Sequence, residues 1–153
     1  MKKFELTSEF VTFLGKKLFR IKALISFGNV EEGELGGYVE KEENLSNDGN
    51  AWVYGDARVF GNARVYGDAE VFGNARVYGD ADYATVHGFG SEYRTTTFFR
   101  TKAGDVGVRC GCFYGTLEEF RAKVKERHGE TKTAKEYLMV ADLMEFRFSK
   151  EEA

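Results

Sequence analysis

The chain has 153 residues, 42% hydrophobic and 31% charged, with a net charge of −3. Such a length fits one domain or two small ones, and such a composition can bury a core. The negative balance argues against general nucleic-acid binding, and no apolar run approaches the roughly 18 residues that a membrane span needs. The opening MKKFELTSEF has a basic pair but no apolar run behind it, so no secretory signal is expected and the expected location is cytoplasmic. Cys110 and Cys112 are the only cysteines, a usage that fits a reducing compartment. Eighteen glycines with no proline suggest many tight turns of defined register.

Residues 1–26 read as an N-terminal strand and cap segment. LFRIKALI (18–25) alternates Phe19, Ile21, Ala23 and Ile25 against Leu18, Arg20, Lys22 and Leu24, which suits a strand with one drier face. Residues 23–46 place Phe27, Val30, Leu35, Val39 and Leu45 among glycines. A six-residue period then takes over: GNAWVY, GDARVF, GNARVY, GDAEVF, GNARVY and GDADYA fill 49–84. An even period keeps Val53, Val59, Val65, Val71 and Val77 in phase on one side of their strands, and Ala57, Ala63, Ala69, Ala75 and Ala81 in phase with one another. Glycine followed by Asn or Asp suits a corner, because these residues tolerate positive φ best.

The repeat resembles the hexapeptide repeat of left-handed parallel β-helices. That resemblance implies three units per eighteen-residue coil, so residues eighteen apart stack. Asn50 then lies on Asp68 and Asp56 on Asn74, which separates carboxylates that would repel if stacked directly. Tyr54 falls on Phe72 and Phe60 on Tyr78. Arg58 on Arg76 breaks the charge spacing. The outward aromatics are expected to pack on flanking segments or to form a subunit interface, and the resemblance implies a homo-oligomer, with a trimer favoured.

After the repeat, EYRTTTFFRT (92–101) and VGVRCGCFY (106–114) read as a β-hairpin across the turn KAGD. TLEEFRAKVKERHG (116–129) has Thr116 and Glu119 in capping-box spacing, Leu117, Phe120 and Val124 as its apolar stripe, and Gly129 as its stop. TAKEYLMVADLMEF (133–146) repeats the box with Thr133 and Glu136, and FRFS suggests a last strand. The expected architecture is mainly β: a left-handed parallel β-helix over 27–84 followed by a small α+β unit over 85–153, a hairpin plus two helices. The LGGYVEKEENLS, GNARVYGDA, GFGS…TTTFF (88–99), CGCFYGTLEEF and HGETKTAKEY segments together resemble a phage- and prophage-associated group of hexapeptide-repeat proteins.

Two chemical readings follow. Strand alternation expects Arg94, Thr96, Phe98 and Arg100 on one face of the hairpin, beside Gly107, Arg109, Gly111 and Phe113. Arginines grip phosphate and aromatic rings stack on a base, so this face suits a small anionic, nucleotide-like ligand. Ser91 in GFGS adds backbone N–H groups, and His128, Lys132 and Lys135 extend the positive field. The expected function is then a non-enzymatic, phage-encoded binding protein that sequesters a signalling nucleotide, with no cofactor and no metal. The alternatives are an acyltransferase of the hexapeptide class with His87 as general base, and a structural or assembly protein. Cys110 and Cys112 share a strand face with Val106 and Val108 and read as small buried hydrophobes.

Overall fold

The computed structural model describes residues 2–79, 82–89, 94–111 and 113–149, without the side chain of Arg94. Ser91, Cys112, Ala81 and the terminal 150–153 lie outside the described residues.

The N-terminal segment is a hairpin, β1 (Phe4–Phe13) and β2 (Lys16–Ala23), where a single strand was expected. Its two-residue turn, Leu14-Gly15, has positive φ at both positions (51° and 77°), the requirement of a turn that matches strand twist. The strand β3 (Leu35–Val39) adds antiparallel to β2. The repeat then contributes two-residue strands only: β4 (Trp52–Val53), β5 (Arg58–Val59), β6 (Glu70–Val71) and β7 (Arg76–Val77). β5 pairs parallel with β3 and β7, giving a mixed five-stranded sheet in the order β1-β2-β3-β5-β7. β4 and β6 form a separate parallel pair.

Residues eighteen apart are neighbours in these ladders: Val53 opposite Val71, Val59 opposite Val77, and Arg58 opposite Arg76. The ring pairs follow, Tyr54 with Phe72 at 4.9 Å and Phe60 with Tyr78 at 5.7 Å between centroids. The five valines and Ala57, Ala63, Ala69 and Ala75 are buried, around a central Trp52 that Phe4 and Phe27 meet edge-on. Glycine is required where backbones converge: at Gly49 (φ 74°) a Cβ would stand 2.6 Å from the Gly67 carbonyl oxygen.

The architecture nevertheless corrects the expectation of a left-handed parallel β-helix. Parallel pairing is confined to short ladders, and the longer strands are antiparallel and belong to mixed or separate sheets. The physical reason lies in the number of repeats. Six units supply too few strands to bury a core alone, and each end would leave unpaired N–H and C=O groups. The β1–β2 hairpin closes one end. There Lys3 is buried with its Nζ donating to the carbonyls of Ala51 (2.7 Å) and Gly49 (3.4 Å), and burial pushes its ammonium pKa down to about 8. The other end meets a four-stranded antiparallel sheet.

That sheet consists of β8 (Tyr83–Phe89), β9 (Arg94–Arg100), β10 (Val106–Cys110) and β11 (Phe113–Thr116), in the order β11-β10-β9-β8. It is larger than the expected hairpin, because β8 comes from the end of the repeat and a turn at Gly111 (φ 59°) splits off β11. Lys102 N–H donates to Asn74 C=O at 3.1 Å, and Glu70 N–H donates to Thr97 Oγ1 at 2.9 Å, so β9 covers the end of the repeat. One face of the sheet sends Tyr83 and Phe99 into the repeat core. The other sends Phe98 and Val108 into a second core under two helices.

Helix α1 (Leu117–His128) carries the expected capping box, with Thr116 Oγ1 accepting from Glu119 N–H. Helix α2 (Lys132–Phe148) starts earlier than its sequence suggests. Thr131 is the cap, accepting from Ala134 N–H, so the Thr133–Glu136 spacing lies inside the first turns. FRFS is not a strand: Met144 and Phe148 continue the buried stripe of α2 one more turn. No helix among the described residues is long and apolar enough to cross a membrane.

Candidate anion-binding site

The residues expected to line a ligand face do not share one. Register decides this: Thr97 stands opposite Arg109, Phe98 opposite Val108, and Arg100 opposite Val106. Phe98, Thr96 and Arg100 therefore face the helices, while Arg109 faces the repeat, one residue out of the expected phase. The five-residue link Thr101–Asp105 sets that phase through the Thr101 N–H to Asp105 C=O bond of 2.9 Å.

Both faces are covered. Thr96 is buried and its hydroxyl reaches Cys110 Sγ at 3.1 Å; Phe98 is buried edge-on to Phe120. Arg100 donates from Nε to Asp82 at 2.9 Å and lies over the Phe148 ring. Phe113, half-buried, packs against Phe120 at 5.8 Å. Arg109 lies over Phe72 at 4.5 Å, with Glu70 Oε2 at 3.7 Å from its Nε. Burial and then the Glu70 charge push the nearby Tyr54 phenol well above its ordinary range. Cys110 joins Val106 beside the second core, as its strand face suggests.

The remaining expected residues are dispersed. His128 lies at the end of α1 against the Tyr137 ring, and Lys135 is exposed on α2. The backbone of Arg94 begins β9, and Ser91 lies outside the described residues. His87 is exposed on β8, with Nδ1 2.8 Å from Thr95 Oγ1. Among the described residues no cluster of three or more His, Cys, Asp or Glu side chains could hold a metal.

A different array of arginines and rings stands on the outer face of the five-stranded sheet. Arg20 pairs in register with Tyr38, Tyr38 with Arg58, and Arg58 with Arg76, so four side chains run straight across four strands. Arg20 is neutralised, donating from Nε to Glu9 at 2.8 Å and lying over the Tyr38 ring at 4.6 Å. Arg58 and Arg76 are different. They share one carboxylate, Asp56, at 3.7 Å and 3.4 Å, and Asp56 is itself 59% exposed. The Arg76 side chain is only 9% exposed and its Nη1 is held by the carbonyls of Asp56, Asn74 and Ala75. Burial, then the neighbouring Arg58 charge, lowers its pKa against the pull of Asp56. The Nε atoms of both guanidiniums are buried without a partner.

Aromatic rings frame this pair. Phe13, from the end of β1, lies over Arg58 at 4.9 Å and over Arg76 at 5.6 Å. It meets Phe60 edge-on at 5.5 Å, and Phe60 stacks on the exposed Tyr78. Two guanidiniums directly opposite each other, next to two stacked rings, form a two-by-two patch. Like charges opposite one another in a sheet cost stability, so the patch carries an electrostatic mismatch that the single carboxylate of Asp56 offsets only in part. The one sequence signal of this site is the Arg58–Arg76 exception to charge spacing in the eighteen-residue stack.

No protein-family model matches this chain, and no curated protein matches it significantly.

Proposed function

We propose that the protein is a non-enzymatic binding protein for a small anionic, nucleotide-like ligand, held at the Arg58–Arg76 patch rather than on the C-terminal hairpin. The observation that carries the reading is the Arg58–Arg76 pair, opposite each other in register and sharing one exposed carboxylate, Asp56. An oxyanion at the Arg58 guanidinium would add negative charge that Asp56 alone does not supply, and charge-assisted bonds of this kind are about twice as strong as neutral ones. The exposed ring of Tyr78 offers a stacking surface beside the charge, which favours a planar group attached to the phosphate. In the phage setting that the sequence resemblance implies, such a protein would sequester a signalling nucleotide without converting it.

Calorimetry with inorganic phosphate, pyrophosphate and a panel of linear and cyclic nucleotides tests the reading. Binding is expected for at least one phosphate-bearing member, and Arg58→Gln is expected to weaken it at least about tenfold, or about 1.4 kcal/mol. No heat with any member, or unchanged binding in Arg58→Gln, overturns it.

A further inference from the structure

A second surface, on α2 and β8, shares no residue with the arginine patch. On α2, Met139, Leu143 and Phe146 recur at spacings of four and three, so they form one stripe along the helix. They are 70%, 56% and 78% exposed. The other outward side of α2 is occupied by α1, because Arg121 binds Asp142 and Glu145 at 2.9 Å each. Beside the stripe runs β8, an edge of the four-stranded sheet. Between them lies an open groove of about 570 Å³ whose walls include Ala84, Val86, Leu143, Phe146 and Arg147.

Edge strands of soluble proteins are normally guarded by charges or proline. β8 reads YATVHGF, and no Asp, Glu, Lys, Arg or Pro interrupts it; a register shift between His87 and Phe89 and the Tyr137 hydroxyl on the Phe89 carbonyl limit its regular edge to Ala84–His87. An uncharged edge beside an exposed apolar stripe marks an interaction site.

We propose that its occupant is a second copy of this chain, in a two-fold dimer that pairs β8 with β8 and α2 with α2. Both halves are self-complementary. Two antiparallel β8 strands, about 4.8 Å apart, would join two four-stranded sheets into one of eight. A two-fold axis through that junction sets the α2 helices side by side and antiparallel on the same face. Helices pack about 8–10 Å apart, a distance their apolar stripes then fill. One ion pair fits the same register: Glu136 and Arg147 flank the two ends of the stripe, with Lys132 and Lys135 beside Glu136. In the antiparallel arrangement each approaches the other's counterpart in the second copy, across a midpoint that lies within the stripe.

Sedimentation and light scattering on the full chain test this. The wild type is expected to run as a dimer. Leu143→Glu and Phe146→Glu, at positions already exposed, are expected to give monomers with unchanged circular dichroism. Glu136→Arg and Arg147→Glu are each expected to weaken the dimer about tenfold, and the double exchange to restore it. A monomeric wild type, a trimer, or a dimer indifferent to Leu143→Glu and Phe146→Glu overturns the proposal. None of these outcomes bears on the Arg58–Arg76 ligand site.

Discussion

The protein has two settings for mostly buried arginines, and they are built to different rules. Between the repeat and the helices, Arg100 and Arg109 each face a carboxylate of their own, Asp82 and Glu70. On the outer sheet face, Arg58 and Arg76 stand opposite each other and share Asp56. The first setting ties layers together. Arg100 holds the turn before β8 and also reaches the Phe148 carbonyl at the end of α2. The second ties little together on the Arg58 side, which faces Phe13 and Tyr38 rings instead of acceptors. Matched charge inside a layered fold ties layers together; the mismatch under the hairpin end is the place proposed for a ligand.

The sharpest way to test the structural role of the first region is to loosen its joint. Phe99 is fully buried and shared by the repeat core and the sheet, so Phe99→Ala is expected to cost about 3–5 kcal/mol in urea unfolding. Gly107→Ala would place a Cβ 2.4 Å from the Phe99 ring, and is expected to cost about 1–3 kcal/mol by overpacking.

Arginine removal then compares the two settings directly. Arg109→Gln leaves the half-buried Glu70, beside Tyr54, without its counter-charge, an expected loss of about 1–3 kcal/mol. Arg58→Gln removes a repulsion, so its stability should change by less than about 0.5 kcal/mol or rise. Equal losses in the two variants, read from urea midpoints, would erase the distinction between the settings.

A separate effect is expected with pH at the hairpin-closed end. The folded Lys3 pKa of about 8 lies below its ordinary 10.5, so folding disfavours the charged form. Between those values the unfolded chain binds more protons, and stability from this group rises with pH. The stability of wild type relative to Lys3→Met should therefore increase from pH 8 to about 10.5, and be flat below pH 7. A difference that falls over that window would mean that the buried ammonium is favoured in the fold.

Neighbourhood inside the repeat followed from the resemblance: three six-residue units per coil put Tyr54 beside Phe72 and Arg58 opposite Arg76, and both pairs are neighbours in the structure. The inward valine and alanine slots followed from the same resemblance and are buried, and the α1 cap followed from Thr116 and Glu119. What the repeat packs against was not legible. A two-residue strand carries no mark of whether its edge meets another turn of repeat or an antiparallel strand, so the mixed sheet and its closed ends were decided by tertiary contacts. The faces of β9 and β10 were decided the same way. Side-chain parity fixes which residues of one strand go together, but the Thr101–Asp105 link sets which face of the next strand joins them. A slip of one residue there moved Arg109 from the Arg100 face to the repeat. Period and parity are local properties written in the chain; register between strands and closure of edges depend on what the whole chain must cover.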